Sequence, residues 1–148
     1  MKRSTAASLI ASSNAPVLKR ERVALAEICR KVIAETSRAH PDAEVVFNDW
    51  DEAFGAWDRR QLVQLVRDLL SSALARGGPG SSILVSVSES GENALLLVVS
   101  SCQPGNCPSE VPALLRARNI VQAHGGRSLL IVRSNDRVCH ISLPRFAT

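Results

Sequence analysis

Four cysteines and three histidines are the side chains in these 148 residues best suited to hold a metal or to supply a nucleophile and its base. Cys102 and Cys107 have four residues between them, but no second close pair of Cys or His completes a tetrahedral set. A zinc site is therefore not expected. Cys29 falls on the apolar face of a predicted helix and Cys139 in a predicted strand, where buried thiols behave as small hydrophobes. His40 precedes a proline in a loop, His124 opens a His-Gly-Gly turn, and His140 alternates with strand neighbours. A catalytic histidine needs a partnered, positioned group, and lone ones in such places read as structural. His124 is expected to cap and pack.

The composition narrows the class. Apolar residues make up 45% and charged residues 22%, enough for a folded core in one domain of ordinary size. The net charge of +4 comes with scattered arginines, no tyrosine, two tryptophans and three phenylalanines. A nucleic-acid face would concentrate its charge and carry stacking aromatics, so nucleic acid is not an expected partner. The opening MKRSTAASLIASSNAP is too polar for a secretory signal, and no stretch reaches the length of a membrane span. A reduced, soluble, cytoplasmic protein is expected.

Periodicity supplies the elements. Residues 1 to 20 read as a flexible or helical lead-in, and 21 to 148 as one domain. Leu25, Ile28, Cys29, Val32 and Ile33 recur at helical spacing, predicting a helix over about 23 to 39. EVVFNDW (44 to 50) reads as a strand, with FGAW (54 to 57) as its partner. Asp58 is a predicted N-cap for the longest helix, whose apolar stripe runs from Leu62 to Leu74. SILVSVS (82 to 88) and NALLLVVS (93 to 100) form a hairpin around SGEN. A third helix over about 111 to 124 ends at Gly125-Gly126. LLIV (129 to 132), read as buried, pairs with VCHISL (138 to 143) around SNDR. Three amphipathic helices covering one face of a mixed or antiparallel sheet make an α+β fold, a two-layer α/β sandwich.

Three phrases in that order resemble the ATP-binding domain of sensor histidine kinases, in the GHKL superfamily with gyrase and mismatch-repair ATPases. DRRQLVQLVRDLLSSALARGGPGSSILVSV is similar to the N-box helix and its following strand. ENALLLVVSSCQPGN is similar to the first glycine box, and RNIVQAHGGRSLLIVRSNDRVCHISLP to the last helix, the HGG turn and the closing hairpin. The resemblance covers about residues 58 to 144 and implies the same two-layer fold.

It also implies stations for nucleotide chemistry, which this chain departs from. The family's N-box asparagines face the phosphates and a magnesium ion, and the matching positions here are Asp68 and Ser72. A carboxylate suits a hard cation, so Asp68 is the candidate metal ligand, but it cannot donate to phosphate. Arg76 could reach a phosphate. Read without the family, Asp68 is an ordinary polar residue on the helix's open face and Arg76 a solvated arginine near its C-terminus. That plainer reading of Asp68 is preferred. In the first glycine box, aligned on Pro104-Gly105, Ser101 stands for the adenine-reading aspartate and Gln103 for a glycine. Only Gly105 remains. In the second, Val111 and Ala113 replace glycines and Pro112 lies between them, without an N–H for a phosphate nest. Losing such contacts, roughly 1–3 kcal/mol each, would weaken nucleotide binding by orders of magnitude.

The resemblance thus implies a domain degenerate in its N-box and both glycine boxes, a non-catalytic binding or regulatory module in two-component signalling. Its expected partner is a response regulator, a kinase or a second copy. Val111, Pro112 and Leu115 could fill or cover the old pocket. No cofactor is expected. A first alternative keeps ATP and magnesium on Asp68, Ser72, Arg76, Ser101 and Gly105, as an atypical ATPase or kinase. A second is a fragment of a histidine phosphotransfer adaptor, which would need an upstream helical hairpin carrying a histidine.

Overall fold

The computed structural model describes residues 17–77, 80–101, 112–133 and 135–146. In chain order these form β1 (Arg20–Ala24), α1 (Leu25–Ala39), β2 (Glu44–Asp49), β3 (Phe54–Asp58), α2 (Arg59–Gly77), β4 (Ser82–Ser90), β5 (Asn93–Ser101), α3 (Pro112–Ala123), β6 (Arg127–Val132) and β7 (Asp136–Pro144). Five strands make a mixed sheet in the order β2-β4-β5-β7-β6, with only β2 and β4 parallel. The three helices lie on one face of it, the two-layer α+β sandwich that the periodicity predicts.

Alternation along the strands decides which side chains meet the helices. Ile83, Val85 and Val87 of β4, Ala94, Leu96 and Val98 of β5, and Ile141 and Leu143 of β7 point inward and are buried. They pack with Leu25, Ile28 and Val32 of α1, with Leu62, Leu65, Leu69 and Leu70 of α2, and with Ala117 and Val121 of α3. The opposite face has no helix among the described residues. Across it, the register aligns Val46, Leu84, Val99, Val138 and Ile131 in one apolar row through all five strands.

Helix starts are capped in two ways. Asp58 caps α2 as expected, its Oδ1 accepting from the backbone N–H of Arg60 at 3.1 Å and Gln61 at 3.3 Å. At α1 the N-cap is Ala24, which has no side-chain acceptor. Its first N–H groups instead donate to the carbonyls of Ala53 and Glu52 at 3.0 and 3.1 Å. Buried Ala53 holds a left-handed φ of 57° to present that loop.

Three expectations are corrected. Val23 and Ala24, read as the helix start, belong to β1 together with residues 20 to 22, and the lead-in's residues 1 to 16 lie outside the described residues. FGAW does not pair with EVVFNDW: β3 pairs antiparallel with β1, and β2 pairs with β4. Trp57 explains that preference. It is fully buried and its Nε1 donates to the carbonyl of Pro144 at 2.8 Å, so β3 is drawn to the end of β7. LLIV is not buried. β6 is the sheet's edge strand and exposed along its whole length, with Leu129 and Val132 each 59% accessible. No helix among the described residues is long and apolar enough to cross a membrane.

Candidate functional site

The polar groups of the core collect where α2 meets α3. Residues four apart on a helix share a face, so Asp68, Ser72 and Arg76 form one stripe along α2. All three are buried, at 2%, 3% and 3% exposure. This overturns the open-face reading of Asp68 and the solvated reading of Arg76, because α3 and β5 close over the stripe.

Each of these three side chains has a partner within the chain, and of the Arg76 nitrogens only Nε has none among the described residues. Asp68 receives a two-pronged guanidinium from Arg116 of α3, Nε to Oδ2 at 2.7 Å and Nη2 to Oδ1 at 2.6 Å. Gln64 Nε2 adds a bond to Oδ1 at 2.9 Å. Such parallel, charge-assisted pairs fix geometry as well as charge. The bond to Asp68 raises the Arg116 pKa, and the nearby negative charge adds to that effect. A metal ion at Asp68 would have to displace this guanidinium. Among the described residues no group of three or more His, Cys, Asp or Glu could hold one.

Farther along the stripe, Arg76 Nη1 donates to Ser72 Oγ and Nη2 to Ser100 Oγ, the latter at 2.9 Å. Burial lowers the Arg76 pKa, and the charge of Arg137 lowers it further. Arg137 is itself buried on β7 and stands opposite Ser100 of β5 in the ladder. Ser101, the residue the resemblance picks out, is exposed, whereas Ser100 points into the helix layer. A one-residue shift in a strand exchanges the two faces. Gln103, Gly105 and Val111 lie outside the described residues. Pro112 is exposed and is the first residue of α3, a position that suits proline because the first helical N–H has no intrahelical partner. Leu115 is 44% exposed.

The HGG turn ties the far end of α3 to the start of α2. His124 Nδ1 lies 2.9 Å from the Ile120 carbonyl, and Nε2 accepts from the Asp58 backbone N–H at 3.1 Å. An accepting Nε2 places the proton on Nδ1, which donates to Ile120. Burial lowers the His124 pKa, so the ring is neutral. Burial alone would raise the Asp58 pKa, but three backbone N–H donors, from Lys19, Gln61 and Arg60, hold it below the usual carboxylate value. Gly125 turns the chain at a φ of 75°, where an L side chain is strained. At Gly126 a Cβ would stand 2.4 Å from the Ser142 carbonyl oxygen. His124 therefore caps and packs, as its position in the sequence suggests.

The other candidates are structural. Cys29 is fully buried and burial pushes its thiol up to about 12, while Cys139, part-buried, is pushed up to about 11. Both are protonated and inert at neutral pH. Arg116, Ser100 and Arg137 escape the reading by motif. For Ser100 a signal existed, since it continues the inward alternation of Leu96 and Val98.

No protein-family model matches the sequence, and no curated protein matches it. Solved structures do, and the chain has the fold of histidine kinase catalytic domains, the ATPase-like sandwich. It is similar to the nucleotide-free catalytic domain of histidine kinase ThkA, at 19% identity and a TM-score of 0.76, over 88% of this chain and 99% of that one. A mycobacterial sensor histidine kinase, MprB, matches at 18% identity and 0.73, over 87% and 99%. A histidine kinase from Burkholderia phymatum STM815 matches at 14% and 0.77, over 97% and 79%. Identities this low carry the fold and leave the chemistry to the residues themselves.

Proposed function

We propose that this chain is a degenerate histidine-kinase ATP-binding-like domain, a non-catalytic binding or regulatory module in two-component signal transduction. The observation that carries the reading is the Asp68–Arg116 pair. A carboxylate that could ligate magnesium has both oxygens engaged by a guanidinium and an amide of its own chain. The residues around it fit a magnesium nucleotide poorly. Pro112 has no N–H to offer a phosphate at the start of α3, and Arg76 is turned inward onto Ser72 and Ser100.

The partner is a protein: a response regulator, a kinase or a second copy of the chain. ThkA, similar in fold, is seen in complex with the response regulator TrrA. The setting is the cytoplasm, where such partners reside and where the thiols of Cys29 and Cys139 stay reduced.

A thermal-shift titration with ATP and ADP, with and without magnesium, tests the proposal. A flat response at millimolar nucleotide is expected. A rise in Tm that follows ligand concentration and disappears in Asp68→Ala would replace it with an atypical ATP-binding domain.

A further inference from the structure

Beside α3, on the side away from Asp68, lies a groove distinct from the Asp68–Ser72–Arg76 stripe. Arg116 and Arg118 are two residues apart and so project about 200° from each other around the helix. Arg116 reaches α2, and Arg118 lines a cavity of about 510 Å³ between α3 and the β6–β7 edge. Its walls are apolar: Leu114, Leu115 and Val121 from the helix, Leu130, Cys139 and Ile141 from the strands. None of Asp68, Ser72, Arg76 or Ser100 lines it.

The strand bordering this groove breaks the habits of a protected sheet edge. Edge strands in soluble proteins are usually short, charged, bulged or covered, because their outer N–H and C=O groups invite another strand. Among the described residues β6 pairs on one side only, with β7, and it carries Leu129, Leu130, Ile131 and Val132 in succession, each at least 36% exposed. Along it, Ser128 and Leu130 face the groove, opposite Ile141 and Cys139 in the ladder. Two cations frame the site. Arg118 and Arg127 both line the groove, both are exposed, and neither has a hydrogen bond or ion pair among the described residues.

We infer that β6 and this groove together receive an extended acidic peptide segment of a partner protein, added antiparallel or parallel as a sixth strand. Main-chain hydrogen bonds to the open edge supply part of the binding, and pockets for alternate side chains supply the selectivity. Alternate apolar residues of the segment enter between α3 and β6, and its carboxylates meet Arg118 and Arg127. Charge decides against a second copy as the occupant. An antiparallel β6–β6 pair would set Arg127 of each chain near the Arg133–Asp136 ion pair of the other, and β6 itself carries no carboxylate to meet it. The inference gives the binding role proposed above a surface. Its failure would move that role to another face, whereas nucleotide-dependent stabilisation would end the non-catalytic reading itself.

Panning a random octapeptide phage library on the 148-residue chain tests it, followed by fluorescence anisotropy with the selected peptides. Enriched sequences should alternate apolar residues with Asp or Glu. Arg118→Glu/Arg127→Glu, two exposed positions whose reversal leaves the core untouched, should weaken binding at least tenfold. Ser128→Leu, which fills the groove, and N-methylation of alternate peptide amides should each do the same. Lack of enrichment, a basic consensus, or binding indifferent to the charge reversal and to N-methylation would overturn the proposal. A dimer in sedimentation that excludes the peptide would also overturn it, assigning the edge to a second copy.

Discussion

The two ends of α3 have met different fates. At its C-terminal end the HGG turn matches the phrase of the family it resembles, and every residue of it serves the packing. His124 spans Ile120 and Asp58, Gly125 turns, and Gly126 admits the Ser142 carbonyl. Toward its N-terminal end the residues differ from the family's pattern and bond to one another, Arg116 to Asp68 and, along α2, Arg76 to Ser72 and Ser100. The contacts of the turn hold the fold, and the groups along the seam bond inward to one another. A motif of the first kind reports architecture and says nothing of turnover.

The contrast can be broken at the turn. Gly126→Ala should cost roughly 3 kcal/mol, since the new methyl meets backbone and not a yielding side chain. Urea denaturation measures it, and a loss below about 0.5 kcal/mol would mean the turn can shift. His124→Ala comes next, at about 2 kcal/mol, for the buried Asp58 N–H it leaves unpaired and the ring packing it removes, while the Ile120 carbonyl keeps the residue-124 backbone N–H.

That histidine also sets a pH dependence. Its folded pKa lies below the ordinary 6.5, so the unfolded chain binds the extra proton first and stability falls as pH drops below about 6.5. Above that value the contribution is complete. Asp58, held below 3.8 when folded, adds a second loss as pH falls through the carboxylate range. Chemical denaturation between pH 8 and 5 should show the first decline in the wild type and its disappearance in His124→Ala. An unchanged slope in the variant would assign the decline elsewhere.

At the seam the effects should be smaller. Replacing both partners, Asp68→Leu with Arg116→Met, should leave Tm close to that of the wild type, because removing the buried carboxylate together with its exposed cation strands no charge. Asp68→Leu alone strands only an exposed arginine, and Arg116→Met alone leaves the carboxylate buried without its cation. The second single change should therefore lower Tm more than the first. Smallest of all is the expected response to magnesium or a chelator, a Tm shift indistinguishable from zero. A clear shift with the metal would place the seam with working nucleotide sites.

Much of this was legible in the chain. The apolar stripe from Leu62 to Leu74, the Asp58 cap and the SGEN hairpin are local features, set by residues within a turn or two of one another, and the structure keeps them. Pairings between distant segments were not legible. β1 and β3 join across α1 and β2, and Trp57 ties β3 to Pro144, 87 residues away. The run Leu129–Val132 reads as buried by composition, yet exposure depends on being last in the sheet, which no local pattern states. Asp68 and Arg116 are 48 residues apart, and each alone looks like an ordinary surface charge.

The counter-charge that Arg116 brings to Asp68 belongs to the polypeptide. A metal ion arrives by diffusion at a concentration the cell controls, and it can be chelated, diluted or exchanged. A tethered side chain has a fixed effective concentration beside its partner. Under the proposed function the seam keeps no record of metal supply or energy charge. Its state is set once, at folding, and lasts as long as the molecule does.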